Sequence, residues 1–160
     1  MGVTTYTDEV TTPIAAERLF KAFFVESNNL FPELLPGLIK SIKFIEGEGG
    51  AGTIKQIEYL EGGTWKNMKT KIDEFDVKNL VCKYSIFEGD MVGGELETIS
   101  YDVKIEACGD GKCTCRTISK YHTKGDSVIN EEELKRGKEK SEAIFKAVEK
   151  HLIENPSVYA

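Results

Sequence analysis

Apolar and polar side chains alternate along most of the chain after Ser41, and this period of two limits the possible folds more than any other feature. The clearest run is Leu96–Glu106, where every second residue is apolar: Ile99, Tyr101, Val103 and Ile105. Lys112–Tyr121 is a further run, and turns such as Glu61–Gly63 and Gly109–Gly111 separate the runs at hairpin length. The pattern predicts six consecutive antiparallel strands with one face in solvent.

The last long segment, Asn130–Asn155, predicts an amphipathic helix. Its apolar stripe recurs at steps of three and four: Leu134, Gly137, Ser141, Ile144, Val148 and Leu152. Asn130 is a favourable N-cap residue, and Pro156 marks the end of the helix. Because Gly137 and Ser141 place almost no side chain in the middle of the stripe, the helix can leave a hollow opposite its centre.

The N-terminal part of the chain predicts one strand followed by two short helices. Met1–Thr11 is rich in β-branched residues and is typical of a strand with one solvated face. Helical spacing of apolar residues predicts helices over Ala15–Val25 and Asn28–Leu35, the second ended by Pro36. The element order therefore predicts an α+β fold in a single domain over residues 1–160, with a seven-stranded antiparallel sheet curled around the long C-terminal helix.

Charge and hydropathy exclude several classes of protein. The 160 residues carry a formal net charge of −6 and show no basic stripe, which argues against binding nucleic acid through its phosphates. The chain has no run of about 18 apolar residues, which a membrane helix would need. The N-terminus lacks the basic and apolar regions of a signal peptide. We therefore expect a cytoplasmic monomer with no membrane partner and no nucleic-acid partner.

The four cysteines are compatible with a reducing compartment if they serve as small packing residues. Cys82 lies in an apolar strand-like run, whereas Cys108, Cys113 and Cys115 are close together in sequence. Structural zinc sites usually use C-x-x-C pairs, and neither histidine stands at a recognisable spacing from these cysteines. We favour packing over metal binding and expect no metal ion and no cofactor. A redox or metal role of Cys108, Cys113 and Cys115 stays open.

A glycine-rich loop precedes one of the predicted strands. Gly47, Gly49 and Gly52 match the pattern G-x-G-x-x-G, and Gly50 adds a fourth glycine. A dinucleotide-binding loop needs a helix after these glycines, whereas Thr53–Tyr59 predicts a strand. The loop is therefore interpreted as a tight connection that uses positive backbone dihedrals, in preference to an anion site.

Several segments together resemble the plant pathogenesis-related class 10 family, whose best-known member is the major birch pollen allergen. They are Met1–Val3, Arg18–Phe23, Glu46–Lys55, Lys83–Ser85, Glu88–Asp90 and Lys120–Asp126. The resemblance covers essentially the whole chain. One departure is Ala51, where the family's loop usually has proline.

The resemblance implies a helix-grip fold, in which the sheet holds the C-terminal helix and the two short helices form a V under it. It also implies a large hydrophobic cavity that takes up amphipathic small molecules such as flavonoids, cytokinins, sterol-like compounds and fatty acids. The function it implies is that of an intracellular plant defence or stress protein that stores or carries such metabolites or hormones.

Strand and helix periodicity predict which side chains line such a cavity. The candidate ligand-binding residues are Phe23, Lys55, Ile57, Tyr59, Cys82, Tyr84, Ile86, Ile99, Tyr101, Cys115, Thr117, Gly137, Ser141 and Ile144. They form an apolar set with a few hydroxyl groups, as a pocket for hydroxylated ring compounds would need. Lys55 inside a core is costly unless it is paired or hydrated. The alternative is a filled core, against which stand the small or polar residues Gly137, Ser141 and Thr117.

A ribonuclease is one enzymatic alternative that the resemblance raises. Family members described as ribonucleases are credited with residues that match Lys55, Glu97 and Glu149. In those proteins a tyrosine follows two positions after the last glutamate, where this chain has His151. We expect Glu97 and Glu149 to be solvated on polar faces while Lys55 points inward, so that the three do not converge.

A condensing enzyme of the norcoclaurine synthase type is the second alternative. That relative uses a pocket lysine with acid and tyrosine partners, and Lys55 with Tyr59 or Tyr84 could take similar roles, but its motif does not match residue by residue. A third possibility is an interaction role in which ligand moves the loops near Gly62–Gly63 and Met91–Gly94. We favour a binding protein without enzymatic activity.

Overall fold

The computed structural model of the protein describes residues 2–160 and contains one seven-stranded sheet in which all neighbouring strands are antiparallel. The strands are β1 (Gly2–Thr12), β2 (Ile39–Glu46), β3 (Ile54–Glu61), β4 (Thr64–Asp76), β5 (Val81–Gly89), β6 (Leu96–Gly109) and β7 (Lys112–Thr123). Their order in the sheet is β1-β7-β6-β5-β4-β3-β2, so five of the six pairs join strands consecutive in sequence and the sixth joins β1 to β7. The predicted fold class is confirmed, while Met1, the start of the predicted first strand, lies outside the described residues.

Three helical segments accompany the sheet. They are α1 (Ala16–Phe20), which continues directly as a π-helix over Lys21–Val25, then α2 (Ser27–Leu34) and α3 (Glu131–Glu154). The two short helices and the long one lie where the sequence predicts them, but the π-helical turn is not predicted by apolar spacing. Its hydrogen bond runs from the Glu26 N–H to the Lys21 carbonyl at 2.8 Å, five residues back.

The wider π turn gives two adjacent phenylalanines aromatic neighbours. Phe23 stacks on Phe145 of α3 with ring centroids 5.7 Å apart and meets Phe31 of α2 edge to face at 5.6 Å. Phe24 lies 6.3 Å from the ring of Tyr84 on β5. The π-helix therefore connects α2, α3 and the sheet.

The glycine-rich loop between β2 and β3 is a tight connection, as predicted. Gly47, Gly49 and Gly52 have φ of 81°, 116° and 88°, which favours glycine. The Gly49 N–H donates to Thr53 Oγ1 at 2.9 Å, and the Gly52 N–H donates to the Ile72 carbonyl of β4 at 2.7 Å. The loop thus folds onto itself and onto β4.

The hydrophobic core lies where α1, α2 and the C-terminal half of α3 meet one end of the sheet. Leu19 and Phe20 of α1 and Val148 and Leu152 of α3 are almost completely buried there. Val148 and Leu152 are the only residues of α3 that are buried; the rest of the predicted stripe is partly or fully accessible. Hydrophobic packing therefore holds the C-terminal half of α3 and leaves its N-terminal half over open space.

Polar groups reinforce the same end of α3. Arg18 donates to three carbonyls at the end of the helix and beyond it, those of Leu152 at 3.0 Å, Asn155 at 2.9 Å and Val158 at 2.9 Å. These carbonyls have no hydrogen-bond donor within the helix, because they lie in its last turn or beyond its end. A cation at this position also interacts favourably with the negative end of the helix dipole. At the other end, Asn130 Oδ1 accepts from the Glu132 N–H at 2.9 Å, which confirms the predicted N-cap.

Replacement of Arg18 tests this anchor. Arg18→Met removes three charge-assisted hydrogen bonds and should lower the free energy of unfolding by about 2 kcal/mol, measured by urea denaturation. Arg116→Met is the matched control, because it removes an exposed ion pair with Glu9 at 2.8 Å and should cost less than about 1 kcal/mol. Equal losses in the two variants would show that Arg18 is not an anchor.

Candidate functional site

A pocket of about 1220 Å³ lies between the sheet, the π-helix, α2 and the N-terminal half of α3. All seven strands contribute to its lining, which is consistent with strong curling of the sheet. Along α3 the lining extends from Glu131 to Lys146 and stops before the buried Val148. The pocket is therefore the space that remains where α3 is not packed on the core.

All fourteen candidate ligand-binding residues of the sequence analysis line this pocket. Gly137 lies in the part of α3 that faces the space, and a Cβ atom built there would meet nothing within 4 Å. Ser141, one turn later, is exposed to the same space. The open space beside these two residues favours a cavity over a filled core, and the cavity and the binding of a ligand stay predictions.

Strand β4 contributes a row of lining residues that its sequence did not indicate. Its lining residues alternate along the strand: Lys66, Met68, Thr70 and Ile72. Met68 pairs with Ile57 and Thr70 with Lys55 on β3, so the two strands present one face to the pocket. The sequence of β4 alternates with a period of two. Because Lys66 and Thr70 are polar, the face that lines the pocket resembles a solvent-exposed face.

Lys55 is enclosed in the pocket wall. Its side chain and backbone together are 8% exposed, and its Nζ lies 5.4 Å from the centre of the Phe44 ring on β2. Among residues 2–160 no carboxylate oxygen forms an ion pair with it. Burial lowers the pKa of Lys55 from its usual 10.5, and the nearby Cys82 opposes this shift.

Tyrosines on neighbouring strands provide further polar groups in the pocket. Tyr84 and Tyr101 stand opposite each other on β5 and β6, and their rings stack with centroids 4.9 Å apart. Tyr121 on β7 meets Tyr6 edge to face, with ring centroids 5.8 Å apart. Burial raises the pKa of Tyr84 and of Tyr101 well above the usual 10, so both remain neutral hydroxyl groups at ordinary pH.

Tyr59 connects the pocket to its charged border. Tyr59 is 1% exposed, and its hydroxyl is the one fully enclosed polar side-chain atom without a hydrogen-bond partner among the described residues. Lys140 of α3 places its Nζ 4.3 Å from the centre of the Tyr59 ring. Burial raises the pKa of Tyr59 and lowers that of Lys140, while Glu61 opposes the shift of Lys140.

Glu61 joins the β3–β4 hairpin to α3 across the border of the pocket. Its carboxylate lies 3.7 Å from Arg136 Nε, 3.9 Å from Lys140 Nζ and 3.6 Å from Lys66 Nζ. Such ion pairs at partly exposed positions are worth about 0–1 kcal/mol each and weaken with salt. The N-terminal half of α3 is therefore tied to the hairpin by much weaker interactions than those that hold its C-terminal half.

The three residues of the ribonuclease alternative do not come together. Lys55 lines the pocket, whereas Glu97 is exposed on β6 and neither glutamate is a lining residue. The prediction that both acids are solvated is right for Glu97 and wrong for Glu149. The Thr12 hydroxyl donates to Glu149 Oε2 at 2.6 Å, which gives this half-buried carboxylate a structural role.

The four cysteines are free thiols in different environments. Cys82 and Cys113 are buried in the core cluster, as the packing interpretation predicts. Cys82 and Cys115 also line the pocket, and Cys108 is exposed. Burial raises the pKa of Cys82 to about 12 and that of Cys115 to about 11. Within residues 2–160, no group of three or more histidine, cysteine, aspartate or glutamate side chains is placed to hold a metal ion. In the same part of the chain, no helix is long and apolar enough to cross a membrane.

Comparison with known proteins decides the family. Residues 1–155 match the sequence model of the pathogenesis-related protein Bet v 1 family. The chain belongs to the Bet v 1 family. Among characterised members of this family, it is 53% identical over 160 residues to pathogenesis-related protein STH-2 of Solanum tuberosum, with both chains fully covered. It is 44% identical over 159 residues to major allergen Pru ar 1 of Prunus armeniaca, with 99% of each chain covered.

Solved structures agree with this Bet v 1 assignment. The crystal structure of Ara h 8.0201 is similar with a TM-score of 0.89 and 37% identity, covering 96% of this chain and 100% of that one. Norcoclaurine synthase from Thalictrum flavum, solved in complex with dopamine and hydroxybenzaldehyde, has a TM-score of 0.75 and 20% identity. That match covers 96% of this chain and 88% of the synthase and shows a shared fold only.

The enclosed phenols of this Bet v 1 protein predict a loss of stability in alkali. The folded state keeps protons on Tyr59, Tyr84 and Tyr101 that the unfolded chain releases near their usual pKa of 10, so their stabilising contribution is present below that pH and falls above it. Lys55 and Lys140 act in the opposite direction, because their pKa values are lowered, but they are two groups against three. We expect the free energy of unfolding to decrease above about pH 10, with phenolate absorbance appearing together with unfolding.

Tyr84→Phe is the matched variant for this prediction. It removes one enclosed phenol and should reduce the slope of the free energy of unfolding against pH by about 1.4 kcal/mol per pH unit in the alkaline range. Ionisation of these tyrosines in a still-folded protein would contradict the assignment.

Proposed function

We propose that this protein binds small hydrophobic or amphipathic plant metabolites or hormones in the pocket under α3 and stores or carries them within the cell. The observation that supports the proposal most is the pocket itself, with a volume of about 1220 Å³ beside an otherwise well-buried core. Ligand pockets usually measure about 300–1,000 Å³. The space is sufficient for a large ring compound or for two smaller molecules.

The lining indicates the chemistry of the ligand. Apolar side chains of β5 and β6 such as Ile86 and Ile99 provide a hydrophobic surface, while Thr117, Tyr101 and Tyr121 provide hydroxyl groups. Hydroxyl groups can accept and donate hydrogen bonds, and apolar surface contributes about 25 cal/mol per Å² removed from water. Flavonoids, cytokinins, sterol-like compounds and fatty acids all combine an apolar body with a few polar groups and are the classes we propose.

The biological setting follows from the relatives and from the cysteines. STH-2 is named a pathogenesis-related protein, and we propose a defence-related or stress-related role for this chain too. All four cysteines are free, which fits the reducing interior of a cell.

A catalytic role has less support. The ribonuclease alternative requires Glu97 and Glu149 to act with Lys55, and the two glutamates are outside the pocket lining. A condensing reaction of the norcoclaurine synthase type would need an acid beside the pocket lysine, and Lys55 has no carboxylate partner among residues 2–160. We therefore propose binding without turnover.

Calorimetric titration with a flavonoid, a cytokinin and a fatty acid tests the proposal. At least one class should bind with a dissociation constant below about 100 μM. Absence of binding by all three at that level would refute the proposed function.

Gly137 provides a variant that connects binding to the pocket. Because no atom lies within 4 Å of a Cβ placed there, Gly137→Leu should fill part of the space, weaken ligand binding at least about tenfold and raise the free energy of unfolding by about 1 kcal/mol. Gly137→Ala is the control, since it brings the same gain in helix propensity with little added volume and should preserve binding. A destabilised Gly137→Leu protein, or one with unchanged affinity, would place the ligand elsewhere.

A further inference from the structure

Lys55 is a cation whose surroundings provide no compensating charge. On the pocket face its cross-strand neighbours are Phe44 of β2 and Thr70 of β4, and both are uncharged. Phe44 presents its ring 5.4 Å from the Lys55 Nζ, a contact that offsets only part of the cost of removing an ammonium group from water. Because only 8% of the residue is exposed, bulk water does not hydrate the ammonium group enough to offset the rest of this desolvation cost.

None of the acidic residues that line the pocket forms an ion pair with Lys55, and two of them, Glu61 and Asp90, have other partners. Glu61 forms ion pairs with Lys66, Arg136 and Lys140. Asp90 Oδ2 accepts a hydrogen bond from the Asn67 N–H at 2.7 Å. Burial without a paired carboxylate therefore lowers the pKa of Lys55 and increases its fraction of neutral amine relative to an exposed lysine.

The amine nitrogen faces the open space of the pocket. Tyr59 Oη is the one polar side-chain atom in residues 2–160 that is both fully enclosed and without a hydrogen-bond partner. Lys55 belongs to the lining of the pocket, and no ion pair of its Nζ occurs within residues 2–160. A desolvated lysine amine that is open to a ligand pocket is a nucleophile towards carbonyl carbon.

We propose that Lys55 forms a reversible imine with apolar or aromatic aldehydes that enter the pocket, so that the protein binds this class covalently as well as by apolar contact. The amine lone pair attacks the aldehyde carbon, the nitrogen transfers its proton to the oxygen, and the resulting carbinolamine loses water to leave a carbon–nitrogen double bond. No electrons are exchanged with another reagent. The inference rests on the proposed function, because the aldehyde must first occupy the pocket.

The neighbouring thiol does not compete for the aldehyde. Cys82 lines the same part of the pocket, but burial raises its pKa to about 12 and keeps it protonated, and a thiol is a weaker nucleophile than a thiolate. The reaction is therefore directed to Lys55.

Reductive trapping tests the proposal. The full chain is incubated with 2-naphthaldehyde and sodium cyanoborohydride, which reduces an imine to a stable secondary amine, and the modified residue is located by peptide mass spectrometry. The chain has 18 lysines, and we expect a single adduct at Lys55 to form at least about tenfold faster than adducts at the others, because this lysine is buried without a counter-charge and its lowered pKa increases its fraction of neutral amine.

Three variants make the result specific. Lys55→Arg keeps the charge and Lys55→Met keeps the approximate length, and neither can form the imine, so both should lose the rapid adduct. Lys43→Arg is the matched control, because Lys43 is an exposed lysine on the adjacent strand β2, and its replacement should leave the rapid adduct unchanged. Adducts spread evenly over the lysines of the unaltered chain, or a rapid adduct that persists in Lys55→Arg, would overturn the proposal.

Two analogues separate this inference from the proposed function. 2-Naphthalenemethanol has the same ring system but cannot form an imine; if it binds while no aldehyde adduct forms at Lys55, the imine is refuted and the proposed function stands. If neither compound binds and no adduct forms, both fail. 2-Naphthoic acid tests whether Lys55 binds an anion instead of forming an imine. In that case the acid binds more tightly than the alcohol, this difference is lost in Lys55→Met, and no aldehyde adduct forms at Lys55. That combination of results would overturn the imine.

Discussion

The burial of Val148 and Leu152 between α1 and the sheet is the contact on which the rest of the structure depends. It holds the C-terminal half of α3, and Arg18 and the Thr12–Glu149 hydrogen bond secure the same end. Because α3 is a continuous helix that is held at its C-terminal half, its N-terminal half extends across the sheet without packing on it. The pocket is the space between that half of the helix and the sheet.

The two halves of α3 are therefore unequal in stability. The C-terminal half uses hydrophobic burial, whereas the N-terminal half relies on ion pairs to Glu61 that salt weakens. Gly137 and Ser141 lie in the weaker half and leave room for a ligand. In this arrangement a ligand can enter by local movement of one end of a helix while the core remains intact.

Alternation of apolar and polar residues in segments such as Leu96–Glu106 was sufficient to predict the sheet. In a strand with one solvent-exposed face, each residue type indicates which face its side chain occupies. The pocket face of β4 was not predicted, since Thr70 is polar yet points inward. The π-helix has no signal in apolar spacing, and the Thr12–Glu149 hydrogen bond joins residues 137 positions apart, which only the tertiary fold brings together. The candidate ligand-binding residues all line the pocket, and their role in binding stays a prediction. The missing counter-charge of Lys55 could not be predicted, because it depends on where every acidic side chain lies.

Amide hydrogen exchange along α3 tests the central claim, that this helix is anchored at one end and spans a pocket with the other. The account predicts that amides in residues 133–141 exchange faster than those in residues 146–152 by about a factor of ten or more, and that a pocket ligand slows exchange in the first group alone. Equal protection along the helix, unchanged by ligand, would contradict it.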